Sequence, residues 1–187
     1  MNSQINIEEH ASFFQQLMLD ILQRRALFRA FESSITGKNI LNNFFISFYA
    51  TDYIRSQLTD LRKFFETESK SYKLSSLTNC LVDKTIKNIH TNIFETKWKT
   101  DLSWNVSLED LANKAVMHKE INYISSQLYK VQLDLFIDTM NDFLDKLISA
   151  LSSENHKVSL IGRSLDSDFL KNQQEKDFEE YLRIAST

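Results

Sequence analysis

In the stretch 107–120, Ser-Leu-Glu-Asp-Leu-Ala-Asn-Lys-Ala-Val-Met-His-Lys-Glu, the polar pair Asn113-Lys114 stands five and four residues before His118, and the acid Glu120 follows two residues after it. Of these residue types, histidine is the one that exchanges protons near neutrality, its reference pKa being about 6.5. A lone histidine at a helix end is usually a surface or capping residue, favoured there by the helix dipole or by free carbonyls. Other chemistries find little support. His10, His90 and His156 are too dispersed to form a metal site. Cys80 is the sole cysteine, so it forms no intramolecular disulfide, leaves no cysteine-based metal site, and reads as a small buried apolar side chain in a reducing cytoplasm. There is no Gly-rich phosphate loop and no nucleophile elbow, so neither P-loop hydrolysis nor a metal or cofactor is expected.

Composition dictates the elements that must hold these residues. With no proline and two glycines in 187 residues, tight hairpins have few turn residues to draw on. The Leu, Ile, Phe, Lys, Glu, Gln and Asn that remain favour long helices, and a 42% hydrophobic content buries a real core. Fourteen phenylalanines exceed what helix propensity favours, so those rings belong to a core or an interface. A net charge of −3 argues against a global attraction to nucleic acid, and RNA binding would need a local basic patch. Residues Met1 to Glu9 lack a basic leader and a long apolar run, and no later stretch of 18 residues is free of charge. Secretion and membrane spanning are unsupported, and a cytoplasmic location is expected.

Apolar spacing predicts a helix over 8–36 with Phe14, Leu17, Ile21, Phe28, Phe31 and Ile35 on one face. Arg24 falls in the gap of that stripe, where it either snorkels to solvent or enters a buried polar network. Gly37-Lys38-Asn39 is the expected stop. A second helix from Ile40 to Thr67 turns Leu41, Phe45, Phe48, Leu58, Leu61 and Phe65 inward. Asp52, Arg55, Thr59, Arg62 and Glu66 form a polar seam beside them, either a solvated, salt-bridged face or one that aims Arg55 or Arg62 at a site on a neighbouring helix or subunit. After a loop at 68–73, Ser75 or Ser76 is expected to cap a third helix reaching Lys99, with Leu77, Leu81, Ile86, Ile89, Ile93 and Phe94 apolar. Its Lys84, Lys87, His90, Lys97 and Lys99 could meet phosphates, although a solvated lysine face is the default. Ser107 and Asp110 resemble a capping box that starts a short helix into Asn113, Lys114 and His118. A break near Asn122–Ser126 precedes a core helix over Leu128–Leu151, the longest apolar rod, with Leu133, Phe136, Met140, Phe143 and Leu147 inward, widened by Ile137, Leu144, Ile148 and Leu151. Residues 152–164 read as a linker, and 166–184 as a helix laid against the bundle or an arm for a partner. The expected fold is all-α: an antiparallel four-helix bundle over 1–152, then a linker and C-terminal accessory helix over 153–187.

Residues Asn113 to Glu120 resemble the Arg-(Asn or Asp)-Lys-x-x-Ala-His-x-Asp signature of the HEPN family, especially its abortive-infection branch, with Ala112 where that signature has arginine. The stretch from Asp52 to Glu66, followed by Ser75-Ser-Leu-Thr-Asn-Cys-Leu81, is similar to the Arg-aromatic-acid helix and Ser-Leu-x-x-Leu segment of the same relatives. The likeness covers about Leu41 to Leu151. It implies a helical bundle that dimerises, joining two copies of the motif across the interface, and metal-independent RNA cleavage in which a 2′-hydroxyl attacks the neighbouring phosphodiester. On this resemblance His118 is the proton-transfer residue, Asn113 a polar orienter or phosphate contact, Lys114 a phosphate contact, and Glu120 the group that orients the imidazole. Ala112 can fill none of the arginine's roles, and losing such a charge stabiliser costs on the order of 10²–10³ in rate. Lys114, Arg62 or Arg55 could replace part of the charge, though lysine lacks the planar fork. The alanine is either natural degeneration or the disabling of a toxic nuclease. RNA, a second copy of the chain and an antitoxin protein are the expected partners, in a toxin–antitoxin or anti-phage setting. The competing reading is a non-catalytic helical interaction module, or antitoxin-like scaffold, whose aromatic faces bind another protein.

Overall fold

The computed structural model describes residues 6–35, 44–66, 72–100, 107–117 and 126–159. Among them the fold is all-α, with six α-helices and one π-helical turn: α1 (Ile7–Ile35), α2 (Phe44–Arg62), α3 (Leu74–Cys80), α4 (Thr85–Ile93) running into the π-helical turn Phe94–Trp98, α5 (Leu108–Met117) and α6 (Ser126–Ser153). The stops expected at Gly37 and near Asn122, and the tail over 166–184, lie outside the described residues.

Residue pairs between helices fix their directions. Phe14 meets Phe64, Gln57 bonds to Ile21, and Phe28 stacks on Tyr53 at 4.1 Å, so α1 and α2 are antiparallel. Arg25 pairs with Asp138 at 2.6 Å and Arg29 with Asp134 at 3.1 Å, so α6 also runs opposite to α1. The His90–Phe143 and Trp98–Phe136 contacts set α4 and its π-helical turn antiparallel to α6.

The apolar stripes of the two long helices form the core. Phe14, Leu17, Ile21, Phe28 and Phe31 of α1, and the expected α6 set from Leu133 to Leu151, are all buried. The two are of nearly equal length, 29 residues for α1 and 28 for α6. Arg24 takes the network alternative: it pairs with Asp60, which also holds Lys63 at 2.5 Å. Among the described residues, Gln15 and Gln57 are buried within the helical layers. Gln57 donates to the Ile21 carbonyl at 2.9 Å, and Gln15 donates to the Ser159 carbonyl at 2.9 Å.

Elsewhere local pattern and outcome differ. Helix α2 ends at Arg62 and tightens into a turn, which turns Phe64 into the core and leaves Phe65 half-buried. The third helix expected from Ser75 or Ser76 to Lys99 is interrupted after Cys80, and its N-cap is Lys73 without a side-chain bond. The interruption is held from a distance: the Glu154 carboxylate, just beyond α6, accepts the Val82 N–H at 2.9 Å and the Asp83 N–H at 3.3 Å. Asp83 in turn accepts the Thr85 hydroxyl at 2.6 Å and the Thr85 N–H at 2.8 Å, and these two bonds hold its carboxyl below the usual carboxylate range. Cys80 is half-buried, its thiol directed to the Ser76 carbonyl at 3.2 Å.

Helix α6 stops at the start of the expected linker through a Schellman arrangement. Asn155 adopts φ 62°, the His156 N–H returns to the Leu151 carbonyl at 2.9 Å, and the Asn155 N–H bonds the Ser152 carbonyl at 3.1 Å. The chain then folds back on α1, where Ser159 donates to Glu8 at 3.1 Å.

Candidate functional site

The capping box that opens α5 is formed as the spacing requires. Ser107 Oγ accepts the Asp110 N–H at 3.0 Å and donates to Asp110 Oδ2 at 3.0 Å, while the Ser107 N–H reaches the same carboxylate at 3.4 Å. From this start Leu108, Leu111 and Ala112 fall on one face, one turn apart, and all three are buried. That face packs chiefly on α2, so the helix of Arg55 and Arg62 and the helix of Ala112 and Asn113 come together.

Ala112 is 0% exposed and belongs to the core cluster. Asn113, a further 100° around the helix, is exposed. The Lys114 side chain, His118 and Glu120 lie outside the described residues. Arg62, the last residue of α2, is half-buried and pairs with Glu66, just beyond the turn that follows, at 3.3 Å. Arg55 is half-buried on the same helix, and its carbonyl accepts the Thr59 hydroxyl at 2.8 Å.

His90, expected on the lysine face, instead sits among aromatic rings. It stacks on Phe65 at 5.5 Å and meets Phe143 at 5.4 Å. Burial pushes its pKa down from 6.5, partly opposed by a hydrogen bond to the Phe64 backbone, and Nε2 is buried without a hydrogen-bond partner. A neutral imidazole in this setting is a packing group. Three lysines of that face have local partners: Lys84 reaches the Leu81 carbonyl, Lys87 the Asn79 side chain at 2.8 Å, and Lys99 pairs with Glu95 and lies over the Phe94 ring.

Sequence reasoning missed an open cleft of about 250 Å³ between the π-helical turn and α6, bordered also by Leu108 of α5. Lys97 Nζ crosses it to Thr139 Oγ1 at 3.1 Å, and Phe136, Leu135 and Gln132 of α6 form the opposite wall. The π-helical turn is closed by the Lys99 N–H to Phe94 carbonyl bond at 3.0 Å and keeps Trp98 in the core while Lys97 lines the cleft. Tyr53, also missed, is buried between α1 and α6; desolvation above all, with the Asp134 charge, pushes its phenol up to about 12, so it stays a neutral donor to Asp134 at 3.4 Å.

Among the described residues no group of three or more His, Cys, Asp or Glu could hold a metal ion, and no helix is long and apolar enough to cross a membrane. In comparisons with family profiles, curated proteins and solved structures, the chain finds no match.

Proposed function

We propose that the chain is a HEPN-like bundle organised for metal-independent RNA cleavage and impaired in it by Ala112. The observation that supports this reading most is the packing of α5 on α2, because the helix that carries Asp52 to Arg62 and the helix that carries Ala112 to Met117, far apart in the chain, lie against each other. His118 is the proton-transfer residue, Asn113 and Lys114 meet the phosphate, and Glu120 orients the imidazole. A methyl group at 112 supplies none of the paired N–H donors that arginine would aim at the phosphate, a deficit on the order of 10²–10³ in rate. The working unit is a homodimer with RNA across its interface, answering to an antitoxin protein in a toxin–antitoxin or anti-phage system.

The test has a binding arm and a cleavage arm. Single-stranded RNA at low salt is expected to bind, with Lys114→Ala weakening it. In chelator, Ala112→Arg is expected to raise cleavage about 10²-fold, and adding His118→Ala to remove it. A folded, dimeric Ala112→Arg protein that leaves RNA intact, beside a parent that does not bind RNA, refutes the reading.

Two observations favour a second reading, a non-catalytic interaction module. Ala112 is sealed in the core, and Val131 and Leu135, one turn apart on α6, are 58% and 62% exposed. Such a module needs no arginine but does need an apolar contact face. It expects Leu135→Asp to abolish association while RNA has no effect in any assay.

A further inference from the structure

We infer that α4 is a gate in the bundle: it opens while α1, α2 and α6 stay closed, released at Glu154 and pivoting on the π-helical turn, and it uncovers the aromatic wall of Phe65 and Phe143. The inference is independent of the ribonuclease reading, since it uses neither the Asn113–Glu120 segment nor the packing of α5 on α2.

The start of α4 is tied down by groups that water can replace. The break at 81–84 parts it from α3, and Val82, Asp83 and Lys84 are exposed there. The Glu154 carboxylate takes the Val82 N–H at 2.9 Å and the Asp83 N–H at 3.3 Å, which fastens this break to the end of α6. Because Val82 is 85% exposed, solvent satisfies those N–H groups once the carboxylate leaves them. A further tie, Lys87 Nζ to Asn79 Oδ1 at 2.8 Å, joins two exposed side chains and is as readily exchanged for water.

Along its length α4 is lightly held. Of its nine residues only Ile93, the last, is buried, while Ile86, Ile89 and His90 are half-buried. His90 opposes closure. Its ring centroid stands 5.5 Å from that of Phe65 and 5.4 Å from that of Phe143, and its Nε2 is buried without a hydrogen-bond partner. Opening delivers that nitrogen to water and relieves the cost of a dry, unpaired polar atom.

The other end is fixed. Trp98 is 1% exposed and packs on Phe65 at 5.0 Å and on Phe136 at 5.4 Å. The π-helical turn that leads to this anchor is closed by the Lys99 N–H to Phe94 carbonyl bond at 3.0 Å, and π-helical insertions are points where helices kink. The trunk has joints of its own: the Phe28–Tyr53 stack holds α1 to α2, and the Arg25–Asp138 and Arg29–Asp134 pairs hold α1 to α6. Elements that open locally are those with few buried contacts and exposed ties, as α4 has.

Native-state hydrogen exchange on the full-length chain, read residue by residue by NMR, tests the gate. A nine-residue helix off its support is marginal in water, so its amides exchange whenever it opens. The amides of Ile89 to Phe94 are expected to exchange as one group, about a hundredfold or more faster than those of Phe136 to Leu147. Low urea is expected to speed them with a slope well below that of global unfolding, because little surface is exposed. Glu154→Gln keeps the shape but exchanges a charge-assisted acceptor for a neutral one, and is expected to speed exchange in α4 about tenfold while α6 stays within about twofold. The parent's pattern and its urea slope decide the matter even if that variant does not fold. Protection of α4 equal to that of α6, a urea slope equal to the global one, or α4 rates unchanged by Glu154→Gln overturns the inference.

Discussion

Replacing Ala112 with arginine tests the geometry on which the functional reading turns. Ala112 is 0% exposed, on the face of α5 that also buries Leu108 and Leu111. A longer side chain in so closed a position costs about 1–3 kcal/mol through overpacking. If the guanidinium remains inside without a partner, its desolvation adds several kcal/mol. The total is then about 4–6 kcal/mol, a large share of the 5–15 kcal/mol typical of a folded domain. At about 2–4 °C per kcal/mol for a chain of this length, the melting temperature falls by about 8–24 °C. If α5 shifts and the guanidinium reaches solvent or an anion, only the packing cost remains and the drop is about 2–12 °C. Thermal unfolding by calorimetry separates the cases, with Ala112→Val as an uncharged control. Added RNA oligonucleotide is expected to recover more of the loss in the arginine protein than in the valine control, because the added guanidinium tightens binding to the native state and a ligand that binds that state stabilises it by mass action. An arginine variant melting within a degree or so of the parent would show that position 112 is not enclosed, and the reasoning would fail.

Three further outcomes follow from local geometry. His90 is held neutral by burial, so its folded pKa lies below 6.5; the stability it contributes is complete above that value and is lost as pH falls below it. His90→Phe, which cannot titrate, is therefore expected to show a smaller drop in melting temperature between pH 7.5 and 5.5 than the parent, and equal drops would contradict the assignment. Ser107→Ala removes the hydroxyl of the capping box and is expected to cost roughly 1 kcal/mol in urea unfolding, with an effect below ~0.3 kcal/mol counting against the cap. Asn155 holds φ 62°, so Asn155→Gly should unfold at the same urea concentration or slightly higher, whereas Asn155→Val should lose about 1–2 kcal/mol; the reverse order would exclude the left-handed stop.

Much of the helical framework was legible because its causes are local. A stripe at threes and fours names the buried face of a helix wherever the helix is placed, and Phe14 to Phe31 of α1 and Leu133 to Leu151 of α6 are buried as that spacing requires. The Ser107–Asp110 box was legible for the same reason, since both partners lie within one turn. The candidate site was less so. Arg62 proved to be engaged with Glu66, and His90, grouped by spacing with lysines, stands between Phe65 and Phe143. The break at 82–84 has one local device, the Asp83 carboxylate that takes the Thr85 N–H, but the carboxylate that takes the Val82 and Asp83 N–H groups comes from Glu154, some seventy residues later.

By itself, then, the sequence determined an all-α chain, the core faces of its long helices and the residue types grouped around His118, since helix period and capping act within a few residues. The tertiary structure alone decided which polar and small residues became interior. An alanine suits surface and core equally, and Ala112 is enclosed because α5 lies on α2. A glutamine reads as solvated until a backbone carbonyl from another segment meets it, as Ile21 does for Gln57 and Ser159 for Gln15. The cleft of Lys97, Gln132 and Thr139 likewise exists only where two helices distant in the chain run side by side, a juxtaposition that no periodicity within either helix encodes.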